Sequence, residues 1–145
     1  MGKLSSKEIS ALLSEPIISF ITTLNQDGSP HASPVWHMLR DGNVLVATGS
    51  STVKARNTAN DPRVSLVVAA EKGNGISASP QPWVQVNGNA FLSRPDDIDD
   101  IVTDLAHHYL APDKASEYAT EILGKADFVL VEIYHTKVLD FDGED

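Results

Sequence analysis

Runs rich in β-branched and apolar residues, each parted from the next by turn-forming residues, constrain this chain most. They are "IISFITTL", "HASPVWHML", "VLVATG", "RVSLVVAA", "WVQVNGNAFL" and "FVLVEIYHTKVLDF". All but the last are short for a helix, and their composition suits a pleated, half-buried surface. The cluster "NQDGSP" predicts a hairpin tip near Asp27-Gly28, and "RDGN" a second turn at Asp41-Gly42. The early chain therefore reads as a meander of antiparallel strands. In "WVQVNGNAFL", Trp83, Gln85 and Asn87 alternate with Val84 and Val86, and Gly88 marks a candidate bulge. The last run reads as one or two strands about a bend near His135, which brings the count to about seven.

Helical spacing appears in fewer places. Ser5 and Glu8 form a capping-box pattern ahead of Ile9, Leu12 and Leu13, and Pro16 ends that helix. "STVKARNTAND" carries one or two helical turns before Pro62. Ile98, Ile101, Val102, Leu105 and Tyr109 follow an Asp-rich start, and Tyr118, Ala119, Ile122 and Leu123 repeat the spacing after Pro112. "EKGNGISASPQP" reads as a flexible loop. The chain is thus α+β, mainly β, and with no internal repeat or linker residues 1–145 form a single domain. Periodicity alone leaves a barrel and an open sheet equally placed.

Composition narrows the function. With 41% hydrophobic and 21% charged residues the chain has the make-up of a globular protein, and the lack of cysteine excludes disulfides, thiolate catalysis and cysteine-ligated metals. The balance of 11 Lys+Arg against 20 Asp+Glu, net −9, argues against a broad nucleic-acid surface. No apolar run approaches the roughly twenty residues that span a bilayer, and "MGKLSSKEISALL" lacks the apolar centre of a signal peptide. The expectation is a cytoplasmic protein without membrane or nucleic-acid partners.

Against that acidity, "TGSSTVKARN" gathers hydroxyls and two cations where a strand gives way to a helix. Thr48, Ser50, Ser51 and Thr52 at a helix N-terminus, with Lys54 one turn inside and Arg56 beyond, could hold one phosphate. The plainer alternative is that Ser51 or Thr52 is only an N-cap and both cations are solvated. The glycine spacing is not that of a Walker loop. A second candidate is "HASPVWHM", where Pro34 holds Ser33 extended and Trp36 offers an apolar plane to a flat aromatic ligand, unless that tryptophan belongs to the core. His31 and His37 lack a carboxylate partner at a recognisable spacing, and the adjacent His107 and His108 point apart on a helix. No Ser-His-Asp triad assembles, no metal site is expected, and catalytic residues are unassigned.

Taken together, "ISFITTLNQDGSPHASPVWHML", "VLVATGSSTVKARNTANDPRVSLVV" and "WVQVNGNAFL" resemble, in order and spacing, the flavin and deazaflavin oxidoreductases of the pyridoxamine-phosphate-oxidase-like split β-barrel superfamily. The likeness spans nearly the whole chain, and "KARN" is similar to the group B members that use coenzyme F420, an 8-hydroxy-5-deazaflavin. The resemblance implies an antiparallel split β-barrel of six to seven strands with a few flanking helices, paired as a homodimer with cofactor sites at the subunit interface. It implies that Thr48, Ser50, Ser51, Thr52, Lys54 and Arg56 hold the cofactor phosphate, and that Ser33, Pro34, Val35 and Trp36 flank its ring. Trp83, or its neighbouring strand, would complete the pocket from this subunit or from the partner. Oxidases of the vitamin B6 type, which use FMN, typically carry an Arg-Lys pair where this chain has Val53-Lys54, and end in an arginine motif that "DFDGED" lacks.

The implied activity is hydride transfer between coenzyme F420 and a planar, conjugated small molecule, with His37 or Tyr109 as candidate proton sources. The rivals are an FMN-dependent oxidoreductase of the same fold and a non-catalytic flavin- or haem-binding protein.

Overall fold

The computed structural model describes residues 3–71 and 81–141. The loop expected at "EKGNGISASPQP" falls mostly outside the described residues. Seven strands form one antiparallel sheet: β1 (Ser19–Leu24), β2 (Pro30–Val35), β3 (Met38–Arg40), β4 (Asn43–Gly49), β5 (Arg63–Ala69), β6 (Trp83–Ser93) and β7 (Phe128–Phe141). Four helices flank it: α1 (Ser6–Ser14), α2 (Val53–Asn60), α3 (Ile98–Tyr109) and α4 (Pro112–Leu123).

The turn residues act as their chemistry requires. At the tip of the β1–β2 hairpin Gly28 adopts φ 87°, with the Asp27 carboxylate accepting from the Ser29 amide at 2.9 Å and hydroxyl at 2.6 Å. Asp41 and Gly42 have φ 53° and 81°, the left-handed pair of a two-residue hairpin between β3 and β4. The capping box of α1 is present, the Glu8 amide donating to Ser5 Oγ and the Ser5 amide to Glu8 Oε1.

The early meander is interrupted. "HASPVWHML" is not one strand, because Trp36 and His37 separate β2 from β3, and these two strands form opposite edges of the sheet in the order β2-β1-β5-β6-β7-β4-β3. That order dictates curvature. Seven flat strands would put the edges about 29 Å apart at ~4.8 Å per strand, whereas three peptide steps from Val35 to Met38 span at most about 11 Å. The sheet must roll until its edges meet, yet no backbone ladder joins β2 to β3, so the barrel is split, not closed.

The inner face packs Ile21, Val44, Val46, Leu66, Val84, Val86, Val131 and Ile133 into a core that α1 caps with Leu12 and Leu13. On the outside, α3 lays Ile101, Val102 and Leu105 over Leu45 and Leu130. The last strand runs unbroken past His135, and the expected bend is a register shift of β6 against β7 between Asn87 and Gly88. There, a Cβ on Gly88 would lie 2.2 Å from the Tyr134 carbonyl oxygen, so only glycine fits.

Candidate functional site

A cleft of about 380 Å³ opens where the end of β4 meets the seam between the sheet edges. Pro34 and Val35 of β2 and Trp36 of the link form one wall, and Ala47, Thr48 and Gly49 of β4 form another. Lys54 enters from α2, while Tyr118 and Ile122 of α4, with Ile18 and Phe128, complete the lining. Its volume falls within the range of small-molecule sites, about 300–1,000 Å³.

The residues expected to hold phosphate divide by role. Thr52 is the N-cap of α2: its hydroxyl donates to the Gly49 carbonyl at 2.9 Å and accepts from the Ala55 amide at 3.3 Å, and Thr48 Oγ1 lies 3.0 Å away. Both threonine hydroxyls are thus engaged in building the turn. Ser50 and Ser51 are exposed, and neither lines the cleft. The Val53 and Lys54 amides, first in the helix, find no backbone acceptor among the described residues. Lys54 is half-buried, and burial lowers its ammonium pKa from the ordinary value. No carboxylate pairs with it among the described residues. Arg56, two positions on and therefore on another side of α2, lines a different groove.

Trp36 is not in the barrel interior. Its ring stacks on Tyr109, with centroids 5.0 Å apart and planes 8° from parallel, and Tyr118 leans on it at 5.4 Å and 52°. Both tyrosines come from helices outside the barrel, so α3 and α4 fix the tryptophan at the cleft wall. Ser33 lies on β2 with its hydroxyl buried and unpartnered among the described residues, as is Nδ1 of His31 two residues earlier. Trp83 stands at the start of β6, opposite Ala69 and against Phe141 at 6.3 Å, and does not line the cleft.

The two candidate proton sources are tied into the seam. His37 is fully buried. Its Nε2 lies 2.8 Å from the Leu13 carbonyl, which can only accept, so Nε2 carries the proton and Nδ1 accepts from the Ser19 hydroxyl at 2.7 Å. Burial is the main force lowering the His37 pKa, opposed by the Leu13 hydrogen bond. The Tyr109 hydroxyl accepts from the His37 amide at 3.0 Å and donates to the Ile17 carbonyl at 2.9 Å, and burial raises its pKa. These groups stitch α1, β1 and α3 to the link between the sheet edges, and neither lines the cleft.

Sequence reasoning missed Ile18, Ala47, Tyr118, Ile122 and Phe128. Four are apolar residues whose periodicity reads as core, and Tyr118 reaches the cleft only because α4 folds back beside the seam. A strand-to-helix cap carrying a half-buried lysine, unpaired among the described residues, next to an aromatic-walled cleft on a split barrel, has the form of a site for a flat anionic ligand.

Residues 5–139 match the model of the pyridoxamine 5'-phosphate oxidase family, and the chain belongs to that family. Among curated proteins none matches it. Similar solved structures include the conserved hypothetical protein Rv2991 from Mycobacterium tuberculosis, at TM-score 0.80 and 23% identity over 97% of this chain and 86% of that one. An F420 reductase aligns at TM-score 0.68 and 19% identity, covering 90% of this chain and 94% of the other. The FAD binding protein from Mycobacterium smegmatis aligns at TM-score 0.63 and 19% identity, with 97% of each chain covered. At these identities the likeness is one of fold.

Proposed function

We propose that the protein is a homodimeric, deazaflavin-dependent oxidoreductase that transfers hydride between coenzyme F420 and a planar conjugated small molecule. The observation that carries this reading is Lys54, a half-buried ammonium without a counter-ion among the described residues, set at the start of α2 beside an apolar cleft. A cofactor phosphate would supply the missing charge. Lys54 and the Val53 and Lys54 amides would hold it, with the Ser50 and Ser51 hydroxyls within the same turn, while Pro34, Val35 and Trp36 flank the ring.

When bound, the coenzyme supplies a hydride from C5 of its ring. The chain's part is to position that ring and exclude water from it. Thr52 holds the helix start, Tyr109 and His37 hold Trp36, and the proton that accompanies the hydride comes from solvent or substrate, since both buried groups are engaged elsewhere. The pairing of subunits is supported by the apolar outer face next to the cleft: Phe20 is 53% and Ile18 41% exposed, and Phe20 stands directly across from Pro34. Trp83, on the same sheet, would then contribute to the partner's site.

The choice of coenzyme F420 over FMN rests on "KARN", and an F420 reductase is among the proteins that share the fold. Absorbance and fluorescence of the purified protein, followed by titration with FMN and with coenzyme F420, test it. Saturable binding of the deazaflavin with weak binding of FMN supports the proposal. Preference for FMN moves the protein to the flavin-dependent rival, and binding of neither removes both. Ligand binding without turnover across a broad panel of acceptors would favour a carrier.

A further inference from the structure

Trp36 and His37 cross the seam between the two sheet edges where no backbone ladder runs, so side-chain chemistry holds this link in place. The His37 amide donates to the Tyr109 hydroxyl at 3.0 Å, and the Trp36 ring stacks on that tyrosine. The His37 ring bridges the Leu13 carbonyl of α1, at 2.8 Å, and the Ser19 hydroxyl of β1, at 2.7 Å. A wall of the cleft is therefore positioned by a neighbour that does not line it.

The bridge suits one protonation state. With Nε2–H given to Leu13, Nδ1 has to accept from Ser19. A proton on Nδ1 would turn both nitrogens into donors, and the Ser19 hydroxyl would have to send its own hydrogen elsewhere. The Val35 carbonyl lies 3.4 Å from it, longer than the ordinary O–H···O bond of about 2.5–3.0 Å. The Tyr109 hydroxyl, 3.4 Å from Nδ1, already donates to the Ile17 carbonyl. The ring thus meets a carbonyl from α1, a hydroxyl from β1, and Tyr109 and His108 from α3, while α4 reaches the link through Tyr118 on Trp36. No carboxylate pairs with His37 among the described residues, and a charge on His108 opposes one on His37. A buried cation so placed is costly, and moving the ring toward water relieves it.

We infer that His37 is a proton-operated latch on the seam: a proton taken from solvent onto Nδ1 releases the ring from Ser19 and Leu13 and lets Trp36 leave the cleft wall. Above pH 6.5 the latch is closed, and it opens as pH falls through a midpoint lower than that, the direction in which burial moves this histidine.

The test follows the His37 ring and the two tryptophan indole N–H signals of the isotope-labelled full chain by NMR from pH 8 downward. The His37 and Trp36 signals should move with one midpoint below 6.5, while Trp83, packed against Phe141 at the start of β6, stays still. In His37→Gln the Trp36 signal should be flat, and in His108→Gln its response should remain with a higher midpoint. His37 titrating under an unmoved Trp36, a Trp36 response that follows His107 or His108 instead, or no change until the whole chain unfolds would each overturn the latch. These readings need no variant to fold beyond the native chain and no ligand. A second arm rests on the proposed function: the Kd for coenzyme F420 should rise below the midpoint by up to about tenfold per pH unit more in the native protein than in His37→Gln. Equal pH dependence in the two overturns the coupling of the latch to the cleft, whereas absence of coenzyme binding at every pH overturns the proposed function and leaves the latch to the first arm.

Discussion

Replacing Lys54 by alanine separates a binding role from a structural one, and the structure sets the size of both effects. The ammonium is half-buried, has no counter-ion among the described residues and is already disfavoured by burial. A phosphate at about 4 Å would interact with it by ~4 kcal/mol in the effective dielectric near a protein surface. Partial exposure and the loss of hydration reduce that to the range of a charge-assisted hydrogen bond, about 1.5–3 kcal/mol. Affinity for the coenzyme should therefore fall roughly 10- to 150-fold. In the free protein the same substitution removes an uncompensated charge and a short apolar stem, two small effects of opposite sign. Stability should stay within about 0.5 kcal/mol, or a shift of about 2 °C or less in Tm. Calorimetric titration with coenzyme F420, alongside thermal melts of the free protein, measures both. An unchanged affinity, or a free protein that melts many degrees lower, would refute the argument by making Lys54 a structural residue.

Three further outcomes are expected. Gly88→Ala drives a Cβ into the Tyr134 carbonyl oxygen and to 2.9 Å from His135 Cα, both backbone atoms of the neighbouring strand, and should cost about 3 kcal/mol or more in denaturant unfolding. His37 has a folded pKa below its ordinary 6.5, so the unfolded chain takes up the proton first. Its contribution to stability is complete above pH 6.5 and is lost as pH falls, at up to about 1.4 kcal/mol per pH unit, and melts of His37→Gln against pH should lack that component. Tyr118→Ala removes a cleft wall that is 40% exposed, and should weaken coenzyme binding about fivefold, the value of one aromatic contact, with little change in Tm; an unaltered Kd would mean that the ring lies elsewhere.

Much of the fold was legible because its determinants are local. Alternation in "WVQVNGNAFL", the left-handed turn at Asp41-Gly42, the Ser5–Glu8 capping box and the Pro112 helix start each involve residues within a few positions of one another, and each stands in the structure as its chemistry dictates. Gly88 announced its bulge, although the carbonyl that excludes a side chain there lies 46 positions away on β7. The candidate phosphate turn was legible for the same local reason, since Thr52 caps the helix in whose first turn Lys54 stands.

What the sequence determined, then, was the helices, the turns, most of the strands, though neither the break between β2 and β3 nor the unbroken run of β7, and the cation-bearing strand-to-helix turn. Only the tertiary structure decided that β2 and β3 lie at opposite edges of one rolled sheet, because strand order depends on long-range pairing that no local pattern encodes. Folding alone carried Tyr118 and Tyr109 to Trp36, 82 and 73 positions away. It committed His37 to the seam and gave Lys54 and Arg56 to different clefts, although they stand two residues apart. A helix rotates about 100° per residue, so neighbours in sequence face different surroundings, and those surroundings are supplied by strands from elsewhere in the chain.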